Sequence, residues 1–133
     1  MKYSQATDYA LHAMLYLVAS ATPEKPVGVQ LLAEKLGVSQ TYLSKLMTKL
    51  VKAGLIQSAP GANGGYRLRK NQEDISFLNV IHAIEGIASL FECSINHGEE
   101  CLIQKVVLDA ERQMEQQLES KKLVELVKLF KTE

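Results

Sequence analysis

Residues 33–54 read Ala33-Glu34-Lys35-Leu36-Gly37-Val38-Ser39-Gln40-Thr41-Tyr42-Leu43-Ser44-Lys45-Leu46-Met47-Thr48-Lys49-Leu50-Val51-Lys52-Ala53-Gly54. Ala33 is small where two helices must cross closely. Gly37, four residues on, supplies a turn position suited to left-handed backbone. Leu43, six residues further, packs back into the angle between the helices. That small–Gly–apolar spacing marks a helix-turn-helix. Ser39 is placed to cap the second of the two helices, which runs to about Ala53, and Gly54 stops it. Within it Leu43, Leu46, Met47 and Leu50 fall on one face. Gln40, Thr41, Ser44, Lys45, Thr48 and Lys52 are left on the other. Amides and hydroxyls that reach base edges, mixed with lysines that reach phosphates, suit a face entering a major groove. An ordinary helical hairpin with a solvated lysine-rich face would carry the same pattern, so the neighbouring sequence has to decide.

Leu55-Ile56-Gln57-Ser58 is short and β-compatible, and Tyr66-Arg67-Leu68-Arg69 alternates as a return strand. Between them lies the glycine-rich tip Pro60-Gly61-Ala62-Asn63-Gly64-Gly65. A hairpin directly after a helix-turn-helix is a wing. Asn63, Gly64 and Gly65 form a tip able to approach a groove. Arg67, Arg69 and Lys70 supply cations, with Arg67 or Arg69 the phosphate contact and Tyr66 and Leu68 the packing residues.

Outward from this centre the pattern is helical. Residues 4–20 carry Ala6, Ala10, Ala13, Met14, Leu17 and Val18 at helical spacing behind a Ser4 cap, and Pro23 and Pro26 break the chain before a helix over 29–36. A helix over 76–85, capped by Ser76, puts Phe77, Val80, Ile81 and Ile84 on one face. Residues 92–100 are polar and loop-like. A longer helix from Cys101 to Leu118 carries the apolar stripe Ile103, Val106, Val107, Ala110, Met114 and Leu118. Ser120 breaks or caps it, and a last helix over 121–130 aligns Leu123, Val127 and Phe130. A domain this small lacks the surface to bury both stripes, so the long helix is the expected dimerisation element, pairing with its own copy. Asp109, Glu111, Glu115 and Glu119 are expected on its exposed side.

The chain has 133 residues, 47% of them apolar, enough for one compact domain with an attached element. No apolar run is long enough to span a bilayer, and the start, Met1 to Gln5, does not resemble a secretory signal. The expected location is cytoplasmic, with no membrane partner. The net charge of zero hides an asymmetry. Residues 1–71 hold nine Lys and Arg against three Asp and Glu, and residues 72–133 hold six against twelve. The basic half, which contains the helix-turn-helix and wing, suits a polyanionic partner. An enzyme reading has little support. His12 and His82 fall inside helical patterns, there is no Ser-His-Asp set, and the glycine-rich tip lacks the lysine of a phosphate loop.

Tyr9-Ala10-Leu11, Ser39-Gln40-Thr41-Tyr42-Leu43, the stretch from Leu46 to Leu55, and Gly64-Gly65-Tyr66-Arg67-Leu68 together resemble the IscR-like winged-helix repressors, the group that includes NsrR and CymR. The resemblance covers nearly the whole chain. It implies a homodimer, double-stranded DNA operators of approximate two-fold symmetry, and a contribution to DNA binding from Lys2 and Tyr3. Thr41 and Tyr42 match family positions that touch DNA. Two positions depart from the iron–sulfur regulator: Ser44 replaces an acidic residue used in base selection, and Pro60 replaces a groove-inserting arginine. The operator sequence therefore does not carry over.

Cluster-holding members of this group have three cysteines before the long helix. Cys93 matches the first and Cys101 the third, the middle one has no counterpart, and Gln104 occupies the place of a histidine ligand. A cluster takes four ligands, and Cys93, His97 and Cys101 make three at most, so the expectation is no cofactor. Glu99, Glu100 or a partner-chain residue would have to complete a metal site. Zinc through Cys93, His97, Cys101 and an acidic group lacks a finger spacing. A thiol pair sensing redox state is the other reading, since Cys101 lies at a helix amino-terminus where aligned amides favour the thiolate. A purely packing role for both cysteines stays open.

The sequence thus predicts a mainly α fold: a winged helix-turn-helix with a β-hairpin wing and a long carboxy-terminal dimerisation helix. Residues 1–75 form the DNA-binding region, 76–100 a linking helix and cysteine-containing sensor loop, and 101–133 the dimerisation and terminal helices. The function expected is that of a non-enzymatic transcriptional regulator, a repressor, modulated through Cys93 and Cys101. The alternatives are an iron–sulfur or metal-responsive regulator of the same fold, and a protein-interaction module built on the winged helix.

Overall fold

The computed structural model describes residues 3–22, 24–91, 93–95 and 101–131, without the side chains of Phe130 and Lys131. Among the described residues, six helices and one hairpin follow in the order α1 (Gln5–Ser20), α2 (Val29–Leu36), α3 (Gln40–Lys52), β1 (Ile56–Ala59), β2 (Gly65–Leu68), α4 (Phe77–Glu85), α5 (Leu102–Ser120) and α6 (Leu123–Lys131). A single 3-10 turn, Gln72–Asp74, precedes α4.

The caps that set these bounds are side-chain chemistry. Ser39 Oγ accepts the Tyr42 N–H at 3.1 Å, and Ser76 forms a reciprocal capping box with Asn79. Gly37 ends α2 at φ 70°, letting the Val38 N–H reach back to the Ala33 carbonyl at 3.1 Å. Gly54, at φ 79°, ends α3 in the same way, with the Leu55 N–H on the Leu50 carbonyl at 3.2 Å. These are Schellman ends, and they need a residue without Cβ at the left-handed position. Ala33 and Leu43 meet in the core, as the spacing predicts.

The core joins Ala10, Ala13, Met14 and Leu17 of α1 to Leu43, Met47 and Leu50 of α3, with Leu32, Ile56, Ile75 and Val80 filling in from α2, β1 and the α4 region. In α4 the inward face differs from the expected one. Leu78, Val80 and Ile81 are buried, whereas Phe77 and Ile84 are only half-buried.

The two carboxy-terminal helices behave differently. α6 returns to the core, burying Leu123, Val124 and Val127. Its start is tied down by backbone bonds from the Phe77 N–H to Lys121 O at 3.0 Å and from the Leu123 N–H to Ile75 O at 3.0 Å. The Phe130 side chain, expected on the same stripe, lies outside the described residues. α5 runs from a Cys101 cap to Ser120, two residues beyond Leu118, and keeps most of its apolar stripe in solvent. Among the described residues, the run of exposed apolar side chains on α5 is what calls for a second surface. The acidic residues of α5 also divide. Asp109 and Glu119 are exposed, but Glu111 is 9% exposed and Glu115 is half-buried 3.6 Å from His82 Nε2. The expectation that all four face solvent is corrected: Glu111 and Glu115 point at α4 and its following segment.

Among the described residues, no helix is long and apolar enough to cross a membrane.

Candidate nucleic-acid interface and cysteine pair

The α3 face opposite the core presents exposed Gln40, Thr41, Lys45, Thr48 and Lys52, with Ser44 half-buried between them. Thr48 Oγ1 donates to Ser44 O at 2.8 Å, so its hydroxyl proton is engaged within the helix and its lone pairs face outward. Tyr42 lies at the first turn with its ring edge-on to Tyr9 of α1, centroids 5.9 Å apart and planes at 85°. That packing fixes the Tyr42 ring at the rim of the recognition face and leaves the residue 36% exposed.

The wing is an antiparallel pair with Ile56 opposite Leu68 and Ala59 opposite Gly65. Both strands begin one residue away from the predicted positions, and the stem has a third partner. Val27, in the link between α1 and α2, exchanges backbone bonds with Tyr66 at 2.9 and 2.8 Å. This contact explains Gly65, and the hairpin's own backbone explains Gly64. A Cβ on Gly65 would lie 2.2 Å from Val27 O, and one on Gly64 would lie 2.0 Å from Ala59 O. Both are half-buried, and Gly61, Ala62 and Asn63 form the exposed tip. Sequence reasoning missed the bridge because a one-residue pairing leaves no alternating pattern to read.

Of the two wing arginines, Arg69 is exposed. Arg67 is half-buried and shares a hollow with Ala21, Thr22 and Gln57. Tyr66 and Leu68 pack against the core. At the amino-terminus, Tyr3 is 37% exposed and its hydroxyl donates to Met114 Sδ at 4.0 Å, while Lys2 lies outside the described residues. α1 is anchored to α4 by Glu85. Hydrogen bonds from the Thr7 hydroxyl, then from the Ser4 backbone, hold its carboxyl below the usual range.

Cys93 and Cys101 are both half-buried thiols. Cys101 caps α5, its Sγ accepting the Gln104 N–H at 3.4 Å, and Cys93 Sγ donates to Ile95 O at 3.3 Å. His97, Glu99 and Glu100 lie outside the described residues. The segment leading into the cysteines is clamped to α5: Glu111 accepts from Ser89 Oγ at 2.8 Å and from the Leu90 N–H at 2.9 Å. Farther round α5, Ile103 and Val106 are 68% and 69% exposed and Ala110 continues their exposed line, while Met114 stands at its edge, 38% exposed beside Tyr3. Val107 and Leu118 are half-buried.

A recognition helix with a polar, lysine-bearing outer face, a following hairpin and a long helix with an uncovered apolar side define a winged-helix DNA-binding regulator. The chain belongs to the Rrf2 family, whose model, "Iron-dependent Transcriptional regulator", matches residues 3–129. It is similar to the transcriptional regulator NsrR of Geobacillus kaustophilus, with 36% identity over 106 residues, 80% of this chain and 71% of that protein. Among solved structures it resembles CymR, the global cysteine regulator of B. subtilis. The TM-score is 0.80 at 28% identity, covering 97% of this chain and 98% of the other. It also resembles IscR of T. potens, with a TM-score of 0.75 at 30% identity, covering 96% and 87%. Proteins of this family are transcription factors rather than enzymes.

The family description implies iron. An iron–sulfur cluster needs four ligands, and among the described residues no group of three or more His, Cys, Asp or Glu side chains comes together to hold a metal. Gln104 offers a side-chain amide at the first turn of α5, and its backbone N–H donates to Cys101 Sγ. The described residues do not supply a cluster's ligand set.

Proposed function

We propose that the protein is a homodimeric repressor that binds operators of approximate two-fold symmetry in double-stranded DNA in the cytoplasm, tuned by the thiol state of Cys93 and Cys101. The observation that carries this reading is the exposed polar face of α3 beside an exposed wing cation. Gln40, Thr41, Ser44 and Lys45 enter the major groove, Thr48, Lys52 and Tyr42 flank them, and Arg69 with Asn63 of the wing meets the backbone. The half-buried Arg67, Gly64 and Gly65 support the wing from its stem. Lys2 and Tyr3 add the amino-terminal contact that the family resemblance implies. The uncovered line Ile103, Val106, Ala110 and Met114, with Val107 and Leu118 beside it, pairs two subunits. That spaces two recognition helices about 34 Å apart for successive major grooves.

DNA titration tests the reading. Selected operator duplex should bind far more tightly than random duplex, with steep salt dependence. Thr41→Ala should cut the preference for operator by roughly 1–3 kcal/mol if Thr41 contacts a base. Arg69→Ala should weaken both duplexes alike. Equal binding of operator and random DNA by the wild type would end the proposal. For the thiols, mild peroxide should change operator affinity in step with loss of titratable thiol, and Cys93→Ser should abolish that response.

A further inference from the structure

Three donors at the start of α1 converge on one oxygen of Glu85, the last residue of α4. The Ser4 backbone N–H reaches Oε2 at 2.7 Å, the Ser4 hydroxyl at 3.1 Å and the Thr7 hydroxyl at 2.6 Å. Thr7 is 1% exposed, so in the folded protein its hydroxyl is turned away from solvent and onto the carboxylate. An N-cap serine needs no such help. Ser4 Oγ already accepts the Thr7 N–H, and the backbone N–H of a cap residue ordinarily meets solvent. Here that N–H is held by a residue 81 positions away. It belongs to the peptide unit joining Tyr3 to Ser4, so the bond fixes the plane from which the amino-terminal arm leaves the domain. Lys49, on the recognition helix, contributes to holding the carboxylate charged. One side chain thus references the arm to α1 and α4 together.

We propose that Glu85 is a positioning residue for DNA binding: it fixes the exit of the amino-terminal arm so that Lys2 and Tyr3 meet the duplex, while touching no DNA itself. This rests on the reading of Lys2 and Tyr3 as DNA contacts given above. An arm released from Glu85 must be ordered again on each encounter, and that entropy is subtracted from the contact it makes. The sign separates this role from simple electrostatics. Removing a negative charge near a polyanion strengthens binding, whereas releasing the arm weakens it.

The test measures binding of fluorescent operator and random duplexes across about 50–300 mM salt. The proteins are wild type, Glu85→Gln and Thr7→Val, each alone and combined with Lys2→Ala. Thr7→Val keeps both the charge and the side-chain shape, and Thr7→Ser restores the hydroxyl. Circular dichroism melts establish that each variant is folded at the assay temperature. Glu85→Gln and Thr7→Val should each weaken both duplexes roughly eightfold at 0.1 M salt and lower the salt slope by about one, the loss of one phosphate contact. Thr7→Ser should restore the slope, and Lys2→Ala should add nothing to either variant. A wild-type slope in both variants, tighter binding by Glu85→Gln, or losses additive with Lys2→Ala would overturn the proposal. So would Lys2→Ala binding DNA as the wild type does, a result that leaves DNA binding through α3 intact. Failure of the wild type to bind any duplex would instead overturn the DNA-binding reading, and this proposal with it.

Discussion

α5 and α6 are consecutive amphipathic helices with similar apolar spacing, yet they spend that spacing on different partners. α6 buries Leu123, Val124 and Val127 in the core and is tied by backbone bonds to the segment before α4. α5 turns Ile103, Val106 and Ala110 to solvent and is held to the domain through Glu111 to Ser89 and Leu90, Glu115 to His82, and the Met114 thioether that takes the Tyr3 hydroxyl. A stripe of apolar residues states that a surface will be covered. It does not state whether the cover comes from the same chain. What separates the two helices is the neighbouring backbone. Lys121 and Leu123 find acceptors and donors on Ile75 and Phe77, and this pins α6 to its own domain.

The sharpest way to break the comparison is to hollow out the α6 side. Leu123→Ala should cost about 2–5 kcal/mol of folding stability, because Leu123 is 1% exposed and the cavity cannot fully collapse. Denaturant melts read the loss; a change under about 0.5 kcal/mol would place α6 outside the cooperative core. On the α5 side the effect should fall on association instead. Ala110→Glu buries a charge between subunits and should weaken the dimer by roughly 1–3 kcal/mol or more, while the separated monomer stays folded. Sedimentation across a concentration series checks it. A variant that remains dimeric would show that another face pairs.

A smaller effect is expected at the polar clamp. Glu111→Gln keeps the shape but weakens charge-assisted bonds to Ser89 and Leu90, costing about 1–2 kcal/mol. Hydrogen exchange at Leu90 should rise while that at Leu123 does not. The smallest effect belongs to Glu85. Its folded pKa lies below the ordinary value of 4.5. Its stabilising contribution is therefore complete above that pH and is lost as pH falls through the folded value. Wild type should melt slightly above Glu85→Gln at neutral pH, and the two curves should converge once the pH falls below the lowered folded value. A gap that persists at low pH would mean that the carboxylate charge is not what ties α4 to α1.

The helix-turn-helix was legible because its signals are local. Gly37, Ser39 and Gly54 act on backbone within a few residues, and Ala33 and Leu43 meet across a single turn. The hairpin was legible for the same reason, to within one residue. The roles of Gly64 and Gly65 were not, since the Val27 backbone that crowds Gly65 is distant in sequence. The same holds for Glu85 and Glu111. Each reads as an ordinary solvated acid until the fold brings Thr7 or Ser89 against it. The inward face of α4 was half right: Val80 and Ile81 are buried, but Leu78 rather than Phe77 completes the face, because the Ser76 cap sets the first turn's rotation. For the cysteines, their places beside α5 were legible, and residues 96–100 between them lie outside the described residues.

The bridge from Val27 to Tyr66 divides the hairpin into two parts with different freedom to change. Its stem is masonry, bonded into the link before α2 and closed to any side chain at Gly65. Its exposed tip is three residues, Gly61, Ala62 and Asn63, that bear on no other wall. If the wing meets DNA as proposed, a change of preference can be written into Ala62 and Asn63 by substitution, or into the tip by lengthening the loop, while Gly61, at φ 101°, stays a glycine; the aim of the wing is already set by the stone beneath it.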